Sequence, residues 1–364
     1  MSERAGSSPA GTWRGVWAGG VVAAATVVGG LIATGSVDLP LRDPDHVAAL
    51  YLGLVGLGVL MLVGIDVALR ARARAGGGWP SRAAMAAVRR ERWTPGRGVA
   101  AALALVGFYA TYMAYRNLKA IVPLLRPDAN FDRQLADADR GLFGGNDPAE
   151  LLHTLLGTGA VTHVLSAFYV AFIVFLPLTI GLALVFSTDL RPALFYVTAQ
   201  SINWVLGIGS YLLLPSLGPI YFDPAAFADL PGSEVTRLQA VLMEQRVDFL
   251  ADPATGTPQS IAAFASLHIS MSFTAALAAH VLGLGKRLRV ALWVWLAITT
   301  LGTVYLGWHY FVDDIAGVAM GALALVLARA FTGLDLRAMR ERQARRRALE
   351  QPAWDAGPQP ARSN

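Results

Sequence analysis

The chain has no cysteine, which excludes disulfide bonds, thiolate metal sites and a cysteine nucleophile. Charge is scarce as well: 15% of residues are Asp, Glu, Lys or Arg, against roughly 25% in ordinary soluble domains. Only six histidines occur, and no two of them stand at the His-x-x-x-His spacing that places a pair of metal ligands on one helix face. No internal repeat of solenoid or propeller length is evident. Low complexity is confined to the Arg-rich tail and "QPAWDAGPQPARSN", whose composition predicts disorder.

Hydrophobic residues make up 55% of the 364. They are gathered into runs of roughly 18 or more, long enough to cross about 30 Å of hydrocarbon as helices. Eight such runs are predicted: Val16–Val37, Val47–Leu69, Gly98–Tyr115, His163–Phe186, Pro192–Leu214, Ala263–Leu284, Val290–Trp308 and Asp314–Phe331. The expected fold is all-α, a polytopic membrane protein. The first run follows Arg4 and Arg14 and has small residues near Thr34 to Ser36, as a secretory signal would. Its apolar core exceeds the roughly 7–15 residues of a signal, so it reads as a retained helix.

Net charge is +5, and its distribution says more than its size. Arg4 and Arg14, the arginines from Arg70 to Arg97, Arg191, the Lys286–Arg289 cluster and the arginines from Arg329 onward all fall on one side if eight helices alternate. By the positive-inside rule that side is cytoplasmic, with both termini there, in a plasma membrane. The basic segments lack the aromatic interleaving of nucleic-acid binders, so contact with anionic membrane lipid is expected and nucleic acid is not. Asp66 and Arg70 form a plausible structural pair at i and i+4 near that face.

The Gly-rich basic stretch before Gly98 divides the chain into an accessory pair of helices with a basic loop (1–97), a six-helix core (98–331) and a basic tail (332–364). Two longer polar segments, Arg116 to Thr162 and Pro215 to Ala262, lie on the outer side. Phe131, Leu135, Leu142 and Phe143 can share one helical stripe in the first, and Val235, Leu238, Leu242 and Phe249 another in the second. Both read as amphipathic helices lying over the bundle as lids.

Chemistry concentrates at that outer side. His268 begins the sixth run, His309 ends the seventh, Asp313 precedes the eighth, and Arg116, Asn117 and Lys119 end the third. Ionisable groups at that depth are costly against lipid and should face one another or water. If a helix includes both, His309 and Asp313 share a face, and the carboxylate can hold one ring nitrogen protonated and leave the other free to attack phosphorus. His268 is then the candidate acid for the departing alkoxide. Arg116, Lys119 and Arg126, with Ser266 or a helix amino terminus, are candidate ligands for the phosphate oxygens. His46, His153, His163 and His280 read as interfacial polar residues, and Asp314 as a helix N-terminal acid.

These residues resemble the type 2 phosphatidic acid phosphatase superfamily, whose signature joins a basic motif, a Ser-x-His motif and a His-x-x-x-Asp motif. The resemblance covers roughly Gly98 to Phe331. It implies His309 as nucleophile, Asp313 as its orienting partner, His268 as leaving-group acid, and no cofactor or metal. "IAAFASLHIS", "YLGWHYFVDDIAG", "YLLLPSLGPIYFDP" and "DADRGLFGG" are similar to the inositol phosphorylceramide synthase, or aureobasidin-resistance, branch. That branch implies a lipid phosphotransferase acting on a phospholipid or other lipid phosphate, with an alcohol or lipid as acceptor. A lipid phosphate phosphatase is the alternative.

The chain departs from the superfamily pattern in three places, one of them Ala265, which stands where Pro is common. Ser266-Leu267-His268 replaces Ser-Gly-His, and Gly302-Thr303 stands where a Ser-Arg pair is usual. The basic motif has two registers: Lys119 with Arg126-Pro127 matches the phosphatase pattern, whereas Arg116 occupies the synthase-like position and is the favoured ligand. Two other classes remain at this stage. One is a metallohydrolase using His268, His309 and Asp313. The other is a transporter or scramblase with Gln200, Asn203 and Ser210 along a path.

Overall fold

A computed structural model describes residues 9–43, 46–258, 261–339 and 341, and among these there is helix and no strand. Most of the tail expected to be disordered falls outside the described residues. Each of the eight apolar runs forms a helix: α1 (Pro9–Gly35), α2 (Val47–Arg74), α4 (Pro95–Leu125), α7 (Ala160–Phe186), α8 (Leu190–Leu213), α11 (Leu267–Val281), α12 (Lys286–Tyr305) and α13 (Phe311–Thr332). Between them run α3 (Arg82–Arg92), α5 (Asp132–Leu142), α6 (Pro148–Leu156), α9 (Pro219–Phe222) and α10 (Glu234–Ala251).

Six of the eight are long and apolar enough to cross a membrane, and α8 and α11 are the exceptions. At 15 residues α11 is short. The hydropathy of α8 is lowered by Gln200, Ser201 and Asn203, all buried. These polar groups meet protein: Asn203 donates to Thr274 Oγ1 (2.9 Å) and accepts from Ser270 (2.6 Å), while Gln200 donates to the Met271 carbonyl (3.1 Å). The two amides join α8 to α11, the usual use of amides between helices in lipid, and neither lines the cavity that holds the histidines.

Helix ends follow local chemistry. Thr94 caps α4 with Pro95 in the first turn, and Ser266 caps α11 by accepting from the Ile269 N–H. In α13 the glycines at 317 and 321 form a small-xxx-small face. A Cβ at either would come within 2.6 Å of a backbone carbonyl of α11, that of Ser266 or of Ser270. Only glycine allows these two backbones to approach so closely. The approach sets the amino ends of α11 and α13, with His268 and Asp313, side by side.

α1 packs against α4, α8 and α13, and α2 packs against α7 and α4. At the basic end the guanidinium of Arg14 reaches the Phe331 carbonyl, and Asp66 accepts from both Arg70 (2.8 Å) and Arg92. Arg97 holds the carbonyl of Leu184 (3.1 Å) and also that of Ser187 (2.6 Å) at the end of α7. The opposite end of the bundle carries α5, α6, α9 and α10.

Those outer pieces are lids with specific anchors. On α10, Val235 and Phe249 are buried as the stripe predicts, and Gln239 donates to the Leu306 carbonyl (2.8 Å). On α5, Leu135 is buried, but Leu142 is 59% exposed and leaves the expected stripe. The inward face of α5 carries instead two aspartates one heptad apart, Asp132 and Asp139, both buried.

Candidate active site

His309 lies in the turn between α12 and α13, held by its N–H and that of Trp308 on the Thr303 carbonyl (3.2 and 3.0 Å). It is 5% exposed, and its Nδ1 is 3.4 Å from Asp313 Oδ2. The shared helix face expected for the pair is replaced by a turn. His309 stands just ahead of α13, and Asp313, in the first turn, folds back so that Oδ2 also accepts the Tyr310 N–H (3.0 Å). The contact is close enough to orient the ring, although its angles fall short of a hydrogen bond. Burial pushes the His309 imidazole below its ordinary value, which keeps it neutral.

His268, in the first turn of α11, is clamped between aromatic rings. Tyr169 stacks on it at 4.5 Å and Phe172 lies at the same distance. The two imidazole rings are 5.8 Å apart, centre to centre, and face one cavity of about 580 Å³. Arg116 and Lys119 from α4 line the same cavity. One Arg116 nitrogen, Nη1, is buried with no hydrogen-bond partner, and the Lys119 ammonium sits 5.6 Å from the centre of the Tyr211 ring. A buried guanidinium donor left open beside two histidines suits an anion.

Other wall residues are apolar or aromatic, among them Tyr112, Trp204 and Trp308. Tyr51, Leu54 and Val55 of α2 contribute on one side and Ile173, Val174 and Pro177 of α7 on the other. Leu54, Ile173 and Val174 are each more than half exposed on the outside of the bundle. The cavity therefore joins a cationic, histidine-bearing end to an apolar end bordered by lipid-facing side chains.

Two residues expected at the phosphate are placed elsewhere. Arg126, just past the end of α4, donates to the Leu212 carbonyl at the end of α8 and does not line the cavity. The Ser266 hydroxyl is used to cap α11 and to bond Asp314. Asp314 also accepts from Thr303 Oγ1 (2.8 Å), so the threonine in the place of the usual arginine ties α12 to α13.

Three contributors had no role assigned from sequence. Asp139 accepts the N–H groups of Phe311 (2.7 Å) and Val312 (2.9 Å), and Asp132 accepts those of Leu217 and Gly218 and the Tyr310 hydroxyl (3.1 Å). Burial raises the Asp139 carboxyl, and the two amide donors oppose that rise. Arg246 lies on the inward face of α10 between Leu242 and Phe249, within electrostatic reach of Lys119 and Asp132. Their heptad spacings, Asp132 to Asp139 and Val235 to Leu242 to Phe249, were the available signals. Among the described residues no group of three or more His, Asp or Glu is gathered as metal ligands.

Residues 133–327, more than half of the chain, match the PAP2 superfamily. The chain belongs to that superfamily. Its members are membrane phosphatases and phosphotransferases acting on lipid phosphates, so this PAP2 protein is an enzyme of that broad class. No curated protein and no solved structure gives a significant match. Within the matched span lie His268, His309 and Asp313, whereas Arg116 and Lys119 precede it.

Proposed function

We propose that this PAP2 enzyme is a lipid phosphotransferase of the inositol phosphorylceramide synthase-like kind, working through a phosphohistidine. The observation that carries the reading is the single cavity that His309, His268 and Arg116 all line, continuous with an apolar end. A lipid phosphate fits it with its head at the histidines and its chain toward α2 and α7.

In the first step a His309 ring nitrogen attacks phosphorus, the P–O bond to the leaving alcohol breaks, and His268 gives that oxygen its proton. Arg116 and Lys119 stabilise the negative charge on the equatorial oxygens. In the second step an acceptor hydroxyl attacks the phosphohistidine, its proton passes to His268, and the P–N bond breaks. The acceptor is an alcohol or lipid hydroxyl, admitted beside α10. The basic end of the bundle is cytoplasmic and the catalytic end faces outward from a plasma membrane, a reading supported by the clustering of arginines at the far end.

The test is incubation of the purified protein with a radiolabelled lipid-phosphate panel, with and without candidate alcohols. Label appearing in a new lipid supports transfer, and label released only as inorganic phosphate replaces it with hydrolysis. An acid-labile, base-stable phosphoenzyme present in the native protein and absent from His309→Ala supports the intermediate. Its presence in both would reject His309 as nucleophile.

A further inference from the structure

A second cavity, of about 670 Å³, opens between α2 and α4 at the basic end. It shares no lining residue with the catalytic cavity, although the two linings follow one another along both helices: Leu105 and Phe108 on α4, Gly56 and Val55 on α2. The volume is within the roughly 300–1,000 Å³ of small-ligand sites. Its walls are apolar: Val59, Leu60 and Val63 from α2, and Ala101, Ala102 and Leu105 from α4. Leu60, 68% exposed, faces outward beside the opening. Gly56 and Gly98 each carry nothing within 4 Å of where a Cβ would be, so the groove is wide because these positions lack side chains.

The mouth is cationic. Arg89 and Arg90, in the last turn of α3, line the cavity and are both exposed. Neither forms an ion pair among the described residues, because nearby carboxylates are engaged elsewhere: Asp66 with Arg70 and Arg92, and Glu91 with Arg74. The indole of Trp93 also lines the groove, with the Arg97 guanidinium 5.1 Å from its centre. An apolar slot open to the bilayer and topped by two unneutralised arginines matches one chemistry, an acyl chain bearing an anionic head group.

We propose that this groove is a binding site for an anionic glycerophospholipid, distinct from the catalytic cavity. Its phosphate rests on Arg89 and Arg90 and one chain lies between α2 and α4 across Gly56 and Gly98. The bound lipid fills the gap between α2 and α4 and braces α2, whose preceding turns border the catalytic cavity through Tyr51, Leu54 and Val55.

The experiment uses the full-length protein, stripped of lipid in nonionic detergent and titrated with phosphatidylglycerol or phosphatidylcholine. Retained lipid is counted by native mass spectrometry and melting temperature is followed in parallel. Phosphatidylglycerol is expected to bind and raise the melting temperature, with phosphatidylcholine weaker. The double variant Arg89→Gln/Arg90→Gln is expected to bind phosphatidylglycerol about 30-fold more weakly, each cation contributing about a factor of five. Gly56→Leu fills open space without a clash, so it tests the slot separately and is expected to lose retained lipid with the arginines intact. Equal binding of both lipids, or unchanged phosphatidylglycerol affinity in both variants, would overturn the site. Both readouts are independent of catalysis.

Discussion

The carboxylate of Asp139 accepts the backbone N–H of Phe311 at 2.7 Å, so an aspartate on an outer helix caps the helix that carries Asp313. The second oxygen takes the N–H of Val312 at 2.9 Å. A charge at a helix amino terminus satisfies donors that the helix itself leaves open and complements its dipole. Through this bond the lid α5 sets the direction in which α13 leaves the His309 turn.

Replacing Asp139 by Ala is therefore expected to cost about 1–2 kcal/mol of stability, the usual loss of a good cap. Turnover is expected to fall further than the melting temperature suggests, because the Asp313 carboxylate moves with the freed helix end. Asp139→Asn keeps one acceptor and should recover part of both. Thermal melts and initial rates on the same preparations check this, and an unchanged rate in Asp139→Ala would remove the residue from any positioning role.

Asp313→Asn keeps the size of the side chain but removes the carboxylate 3.4 Å from His309 Nδ1. Phosphoenzyme formation is expected to slow by roughly 10²–10⁴-fold, with lipid binding nearly unchanged. Rapid-quench measurement of the first turnover separates the two effects.

The pH profile should place His309 on the acidic side. In the proposed mechanism His309 attacks as the neutral imidazole, and burial lowers its pKa, so it is expected to remain competent as pH falls through the ordinary histidine range. The limb assigned to His309 in kcat/KM is expected below pH 6.5, the unperturbed value. A limb at or above 6.5 that vanishes with a His309 substitution would contradict it.

Arg246 on α10 lies within electrostatic reach of Lys119 and Asp132. Arg246→Gln is expected to raise KM for a lipid phosphate by roughly 10-fold, the value of a hydrogen bond to a charged group, while kcat changes little. Lysine at the same position should restore only part, since it lacks the planar fork. Vanadate inhibition measured on both variants reports the anion site directly.

Gly317→Ala brings a Cβ to 2.6 Å from the Ser266 carbonyl, a backbone atom that cannot rotate away. A loss of about 1–3 kcal/mol is expected, with falling activity as α11 and α13 separate. Gly20→Ala on α1 meets nothing within 4 Å and is the neutral control in the same melting assay.

Much of the architecture was legible because its causes are local. Long apolar runs must be helices in lipid, and eight helices formed where eight runs were read. His309 and Asp313 were legible for the same reason, being four residues apart. The lid helix α10 followed from its stripe. The stripe read in α5 was incomplete, because Leu142 faces out while Asp132 and Asp139 face in to meet backbone donors from distant segments.

Sequence alone determined the all-helical membrane class, the uneven distribution of arginine and the His-x-x-x-Asp pair, since hydrophobic length, charge and short spacing act within single segments. Only the tertiary structure decided which cations face the histidines. Arg116 and Lys119 are three apart on α4 and share its inward side, whereas Arg126 lies beyond the helix end and turns to the Leu212 carbonyl. Ser266 was likewise claimed by Asp314 and the end of α11. Helix rotation and the close crossing at Gly317 and Gly321 arise from contacts between residues far apart in the chain, which no local pattern encodes.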